Sequence, residues 1–157
     1  MGVTVLSVGL LLGLGALLLA AGIEDARKRT IANGTNAAVA LLAPVWWWTQ
    51  DYALWPDVPL QIVFAAVVLA LFVCAFALGM MGGGDVKLIA ALALWLPVFP
   101  FLSLLIVMSI AGGAVTVLMM VERRLAPQEG ALEIPYGVAI AFAGLLALRE
   151  PILNQLA

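Results

Sequence analysis

Apolar and polar positions fall in long blocks along this chain. Residues 3–22 (VTVLSVGLLLGLGALLLAAG) carry no charge. A bilayer core of about 30 Å takes roughly 20 apolar residues in a helix, so this block predicts a membrane span. A polar stretch follows from Glu24 to Asn36, and residues 37–48 are apolar again, ending in Trp46, Trp47 and Trp48. Such a cluster suits the headgroup level, where an indole is half wet. Residues 49–59 hold Asp51, Asp57 and two prolines and read as a loop. A long apolar run covers 60–81, and the break Gly82-Gly83-Gly84-Asp85-Val86-Lys87 follows it. Residues 88–96 are apolar but short, and Pro97 and Pro100 bracket an expected tight turn. A full-length span covers 101–121, a polar stretch runs from Glu122 to Glu133, and 134–148 is the last apolar block. The pattern predicts an all-α polytopic bundle of six spans in one transmembrane domain over residues 1–157. The second, fourth and sixth spans are short, and short spans lean on interfacial polar residues or on shielding neighbours.

Lysine and arginine set the expected orientation. Arg27, Lys28 and Arg29 lie in the first loop, Lys87 in the third, and Arg123 and Arg124 in the fifth; only Arg149 falls elsewhere. The positive-inside rule puts those three loops in the cytoplasm and both termini outside. Leu19-Ala20-Ala21-Gly22 would suit signal-peptide cleavage, but no positive region precedes it and the apolar run is long for that role.

Composition agrees with a membrane protein. Of 157 residues, 66% are hydrophobic and 10% charged, and mean hydropathy is +1.19. A water-soluble domain of this size leaves too much surface exposed to hide that much apolar area, and a disordered chain carries far more charge. The net charge of −2 offers no footprint for nucleic acid. One cysteine, Cys74, and no histidine exclude a disulfide framework, a CxxC zinc site and a histidine base. No metal or cofactor is expected. Cys74, within the third block, reads as a small apolar packer.

Among nine acids, Asp51, Asp57 and Glu150 fall in outer segments, and Glu122, Glu129 and Glu133 share a loop with two arginines. Asp25 and Asp85 differ, because each abuts a span at the same expected membrane depth, where an ionisable group points to function. Two adjacent carboxylates share one proton: the ionised partner takes a proton from water while the protonated one donates to a carbonyl oxygen. Gly82, Gly83 and Gly84 would permit positive φ and close approach of a substrate strand. The plainer reading makes these glycines a turn and Asp85 a helix cap. Residue spacing alone leaves both readings open.

At these residues the chain resembles the prepilin peptidases, membrane aspartic proteases that process type IV prepilins. Gly82-Gly83-Gly84-Asp85-Val86-Lys87-Leu88 matches the GxGDxKL form of the family's GxGD motif. Asp25-Ala26-Arg27 with Ile31-Ala32-Asn33 is similar to its D-x-R-x-x-x-I-P-N segment, with Ala32 in place of proline, and Ile134-Pro135-Tyr136-Gly137 is similar to its PYG segment. The resemblance implies Asp25 and Asp85 as catalytic pair, with Gly82 and Gly84 shaping the second acid's turn. It adds Gly83, Pro135, Tyr136 and Gly137 as site-shaping residues. Lys87 would position a substrate group or a phospholipid headgroup, or simply anchor the loop by its charge, and Arg27 invites the same plain reading. Asn33 is expected to cap its loop. The larger relatives' added domain, with two CxxC pairs and N-methylation chemistry, has no counterpart here, so no S-adenosylmethionine is expected.

The resemblance thus implies an intramembrane endopeptidase of the short branch similar to tight-adherence (Flp) pilus enzymes, in the bacterial inner membrane. Its partners would be a prepilin precursor with a short basic leader, membrane lipids and pilus assembly machinery. A proton-coupled transporter and a non-catalytic assembly subunit are the alternatives. Glycine-broken helices bearing acids also mark transporters, but no inverted repeat is visible in the sequence.

Overall fold

Without water at hand, a backbone satisfies its polar groups internally, and every apolar block of this chain becomes a helix. The computed structural model describes residues 2–125 and 135–156, which are all-α. The helices are α1 (Gly2–Lys28), α2 (Asn33–Thr49), α3 (Asp57–Ala77), α4 (Gly83–Ala93), α5 (Val98–Leu125), α6 (Tyr136–Ala147) and α7 (Arg149–Leu156). Among the described residues four stretches are long and apolar enough to cross a membrane: Val3–Lys28, Asp57–Ala77, Val98–Glu122 and Tyr136–Leu153, the last running through α6 into α7. With 17 and 11 residues, α2 and α4 fall short of that length.

The helix ends depart from the hydropathy blocks, because a helix stops where its backbone is capped rather than where polarity begins. Basic Arg27 and Lys28 sit in the last turn of α1, where cations complement the helix dipole, and Arg29 ends it with φ 54°. Asp25 therefore lies inside α1, not after it. In the same way α2 takes in Asn36, which is buried. The third helix spans Asp57–Ala77, so it starts before the expected 60–81 block and ends before it closes. Pro100 lies in the first turn of α5, where its missing N–H costs no helical bond, so the turn precedes it and is not bracketed by two prolines.

Two expectations for side chains are also corrected. Trp46 and Trp47 are buried, and only Trp48 is exposed. The indole of Trp47 donates to the Leu94 carbonyl at 2.7 Å, and Trp46 stacks on Trp95 with ring centroids 5.8 Å apart. Cys74 is exposed on α3 and packs into no core. Glu129, Glu133 and Ile134 lie outside the described residues.

Packing runs α5–α6–α1–α2–α4–α3, and α4 also touches α6. The core holds Leu11, Leu14, Leu18, Leu88, Ile89, Leu92 and Ile140 from α1, α4 and α6. Small residues let α1 and α6 approach closely: a methyl added at Gly144 would stand 2.8 Å from Leu18 Cδ1, and one at Gly22 3.0 Å from Ala141 Cβ.

The far end of α4 is closed by side chains of other helices. Buried Gln61 on α3 donates to the carbonyls of Ala93 at 2.7 Å and Leu96 at 2.9 Å. Trp47 takes the Leu94 carbonyl, while Trp95 donates to Val39 O at 2.8 Å. A helix's last carbonyls lack internal partners, and these bonds replace water. Gln61→Leu should therefore destabilise the protein by about 1–3 kcal/mol, the cost of stranding buried acceptors. Thermal unfolding in detergent would measure it.

Candidate active site

Two carboxylates from distant stretches line one polar cavity of about 540 Å3. Asp25 comes from the last turns of α1 and Asp85 from the first turn of α4, with 4% and 7% of their surfaces exposed. Lys28, Arg29, Thr30, the Gly79–Gly82 turn and Tyr136 complete the lining.

Each acid meets a helix N-terminus, where free N–H groups and the dipole favour a carboxylate. Asp25 Oδ2 accepts from the N–H of Val138, in the first turn of α6, at 3.2 Å. Pro135 stands at the N-cap of that helix. Gly137 lies against the carboxylate: a methyl there would stand 2.8 Å from Asp25 Cβ and Cγ. Asp85 Oδ2 accepts from the Gly82 N–H at 3.3 Å, while its buried Oδ1 has no partner within the protein. Both acids face the same polar space.

The connector between α1 and α2 fixes the two helices. Glu24 Oε2 accepts from the Ala32 N–H at 2.9 Å and from the Thr35 hydroxyl at 3.3 Å. Ile31 packs so closely on Gly84 that an added methyl would stand 3.2 Å from its Cβ and backbone nitrogen. Asn36 Nδ2 donates to the Gly84 carbonyl at 3.1 Å. Glu24, the residue before the first acid, and Gly84, the residue before the second, are thus both tied to the short segment from Ile31 to Asn36.

Not every sequence-derived residue gathers here. Arg27 is exposed and stands outside the cavity, which Lys28 and Arg29 line instead. None of the three glycines takes the expected positive φ, since α4 begins within their run and Gly82 is extended at φ −75°. The left-handed glycine is Gly79, at φ 71°. Gly83 meets only the Phe76 ring edge at an ordinary 3.5 Å. Asn33 does not cap its loop, because Ala32 holds the N-cap position, and its Oδ1 accepts from Lys87 Nζ at 2.8 Å, on another side of α4. The sequence reading missed Glu24 and Asn36. Nothing in the pattern separates Glu24 from a solvated loop acid, whereas Asn36 lies on the α-helical register of the apolar residues after it.

The family model described as the type IV leader peptidase family matches residues 12–117, which include both acids. No curated protein and no solved structure matches the chain.

Proposed function

This chain belongs to the type IV leader peptidase family, membrane hydrolases of the aspartic class, and from that premise we propose that Asp25 and Asp85 are its catalytic pair. The observation that carries this is the shared cavity: two buried acids from α1 and α4 line one polar space. The transporter and scaffold alternatives have no comparable observation in their favour.

In the proposed reaction Asp25, held by the Val138 N–H, is the base, and Asp85, whose Oδ1 is buried without a partner within the protein, is the acid. Asp25 removes a proton from water while the water oxygen attacks the scissile carbonyl carbon. Asp85 gives its proton to the carbonyl oxygen, forming a tetrahedral diol. Asp25 then passes its proton to the amide nitrogen while Asp85 takes one back from a diol hydroxyl, the carbon–nitrogen bond breaks to an acid and an amine, and the pair again holds one proton. Lys28 and Arg29 at the cavity wall offset the negative charge of the pair.

Family membership implies prepilin-like substrates. The substrate we propose is a small Flp-type precursor with a basic leader and a following apolar helix, cut where the leader meets the helix. A peptide bond inside a helix is shielded, so that junction has to be extended to reach the acids. Alternate loops rich in lysine and arginine support a cytoplasmic site in the bacterial inner membrane, with both termini outside. On this reading α2 and α4 are short spans shielded by α1, α3 and α6, giving six in all.

Two sets of variants test the proposal. Asp25→Asn and Asp85→Asn should each lower cleavage of a prepilin peptide by purified enzyme at least ~10²-fold while leaving the melting transition cooperative. Mass spectrometry of the released leader is the readout, and wild-type cleavage by either variant would falsify the pair. Gly137→Ala should also cut activity sharply, since its methyl displaces the Asp25 carboxylate, whereas Gly83→Ala, with room beside Phe76, should keep it.

A further inference from the structure

A second concavity, of about 530 Å3, lies between α2, α3 and α4. It shares no lining residue with the acid cavity. Asp85 and Lys87 stand two residues apart on α4, about 200° around its axis, so the two spaces use opposite faces of that helix.

Six alanines, two each from α2, α3 and α4, leave this groove open where longer side chains would fill it. From Asn33 to Ala40 and from Lys87 to Leu94 it extends about 10 Å along both helices. One end is polar: Lys87 Nζ donates to Asn33 Oδ1 at 2.8 Å. The lining contains no acid to neutralise that ammonium, which keeps two further N–H donors. A strip of hydrocarbon surface ending in a fixed cation matches an amphiphile with an anionic head and a hydrocarbon tail.

We infer that this groove binds an anionic phospholipid, its phosphate on Lys87 beside Asn33 and one acyl chain along the alanines. A substrate helix fits less well, because a segment lying there would approach α4 from the face opposite Asp85. Asn36 lines the groove and also holds the Gly84 carbonyl, so the seated lipid touches the residue that fixes the start of α4.

The test uses the whole protein in detergent. Native mass spectrometry and thermal unfolding would follow additions of phosphatidylglycerol, phosphatidylcholine or inorganic phosphate. Phosphatidylglycerol should bind and stabilise in preference to phosphatidylcholine, and inorganic phosphate should do neither. Lys87→Gln should weaken phosphatidylglycerol about fivefold and abolish the preference, while Lys87→Arg keeps it. Ala66→Leu, at an exposed position on α3, should fold normally and lose the bound lipid by filling the groove. An undiminished preference in Lys87→Gln, an equal shift from inorganic phosphate, or lipid retained by Ala66→Leu overturns the inference. So does crosslinking of a prepilin helix or a second copy to a photoreactive group placed at Ala66. Cleavage by the Asp25 and Asp85 variants is read separately, so failure of one proposal leaves the other standing.

Discussion

Side chains close both ends of α4, and the position of Asp85 follows from that closure. An eleven-residue helix leaves most of its terminal N–H and C=O groups without intrahelical partners. In an apolar surrounding each such group has to be met by protein. Gln61 and Trp47 meet the carbonyls at one end, and Asn36 and the Asp85 carboxylate act at the other. Val86, Leu88, Ile89 and Leu92 bury the apolar faces of the helix, and polar bonds from α2 and α3 add to the hold near its ends. Its first turn then presents an acid at a set height beside the end of α1.

The same economy of N–H groups serves charge. At Asp25 the start of α6 supplies the donor, and at Asp85 the start of its own helix does. A carboxylate in each place satisfies groups that would otherwise be stranded, so on the proposed reading structure and chemistry use the same atoms. Removing an acid would then remove a cap as well as a proposed reacting group, whereas an amide in its place keeps an oxygen that accepts the bond. This is why asparagine variants separate catalysis from folding better than alanine variants.

Much of the architecture was legible from the blocks of apolar residues, because spans are long and their signal is averaged over many positions. Helix ends were not, since they depend on single caps such as Ala32 before α2 and the left-handed Arg29 after α1. The two acids could be singled out by where they stand against apolar runs. Their mutual approach could not, nor could the roles of Glu24 and Asn36, which come from bonds across the α1–α2 connector and to Gly84. The triple glycine invited an argument from backbone freedom, yet only close approach to Ile31 is used at Gly84, while the freedom is used earlier, at Gly79. The tryptophan cluster misled because indoles with both an apolar body and a donor suit a buried helix end as well as a headgroup layer.

The seat of Asp25 is made by Gly137 and Val138, the latter 113 residues further along the chain. During synthesis the first acid is therefore laid down long before anything exists to hold it. Both carboxyls are already in the nascent polypeptide when α5 is finished, but their geometry waits for α6 to dock between α1 and α5. A ribosome stalled before that point leaves Asp25 without the donor and the close backbone that seat it, so on the proposed reading the pair is complete only once the last apolar block has joined the bundle.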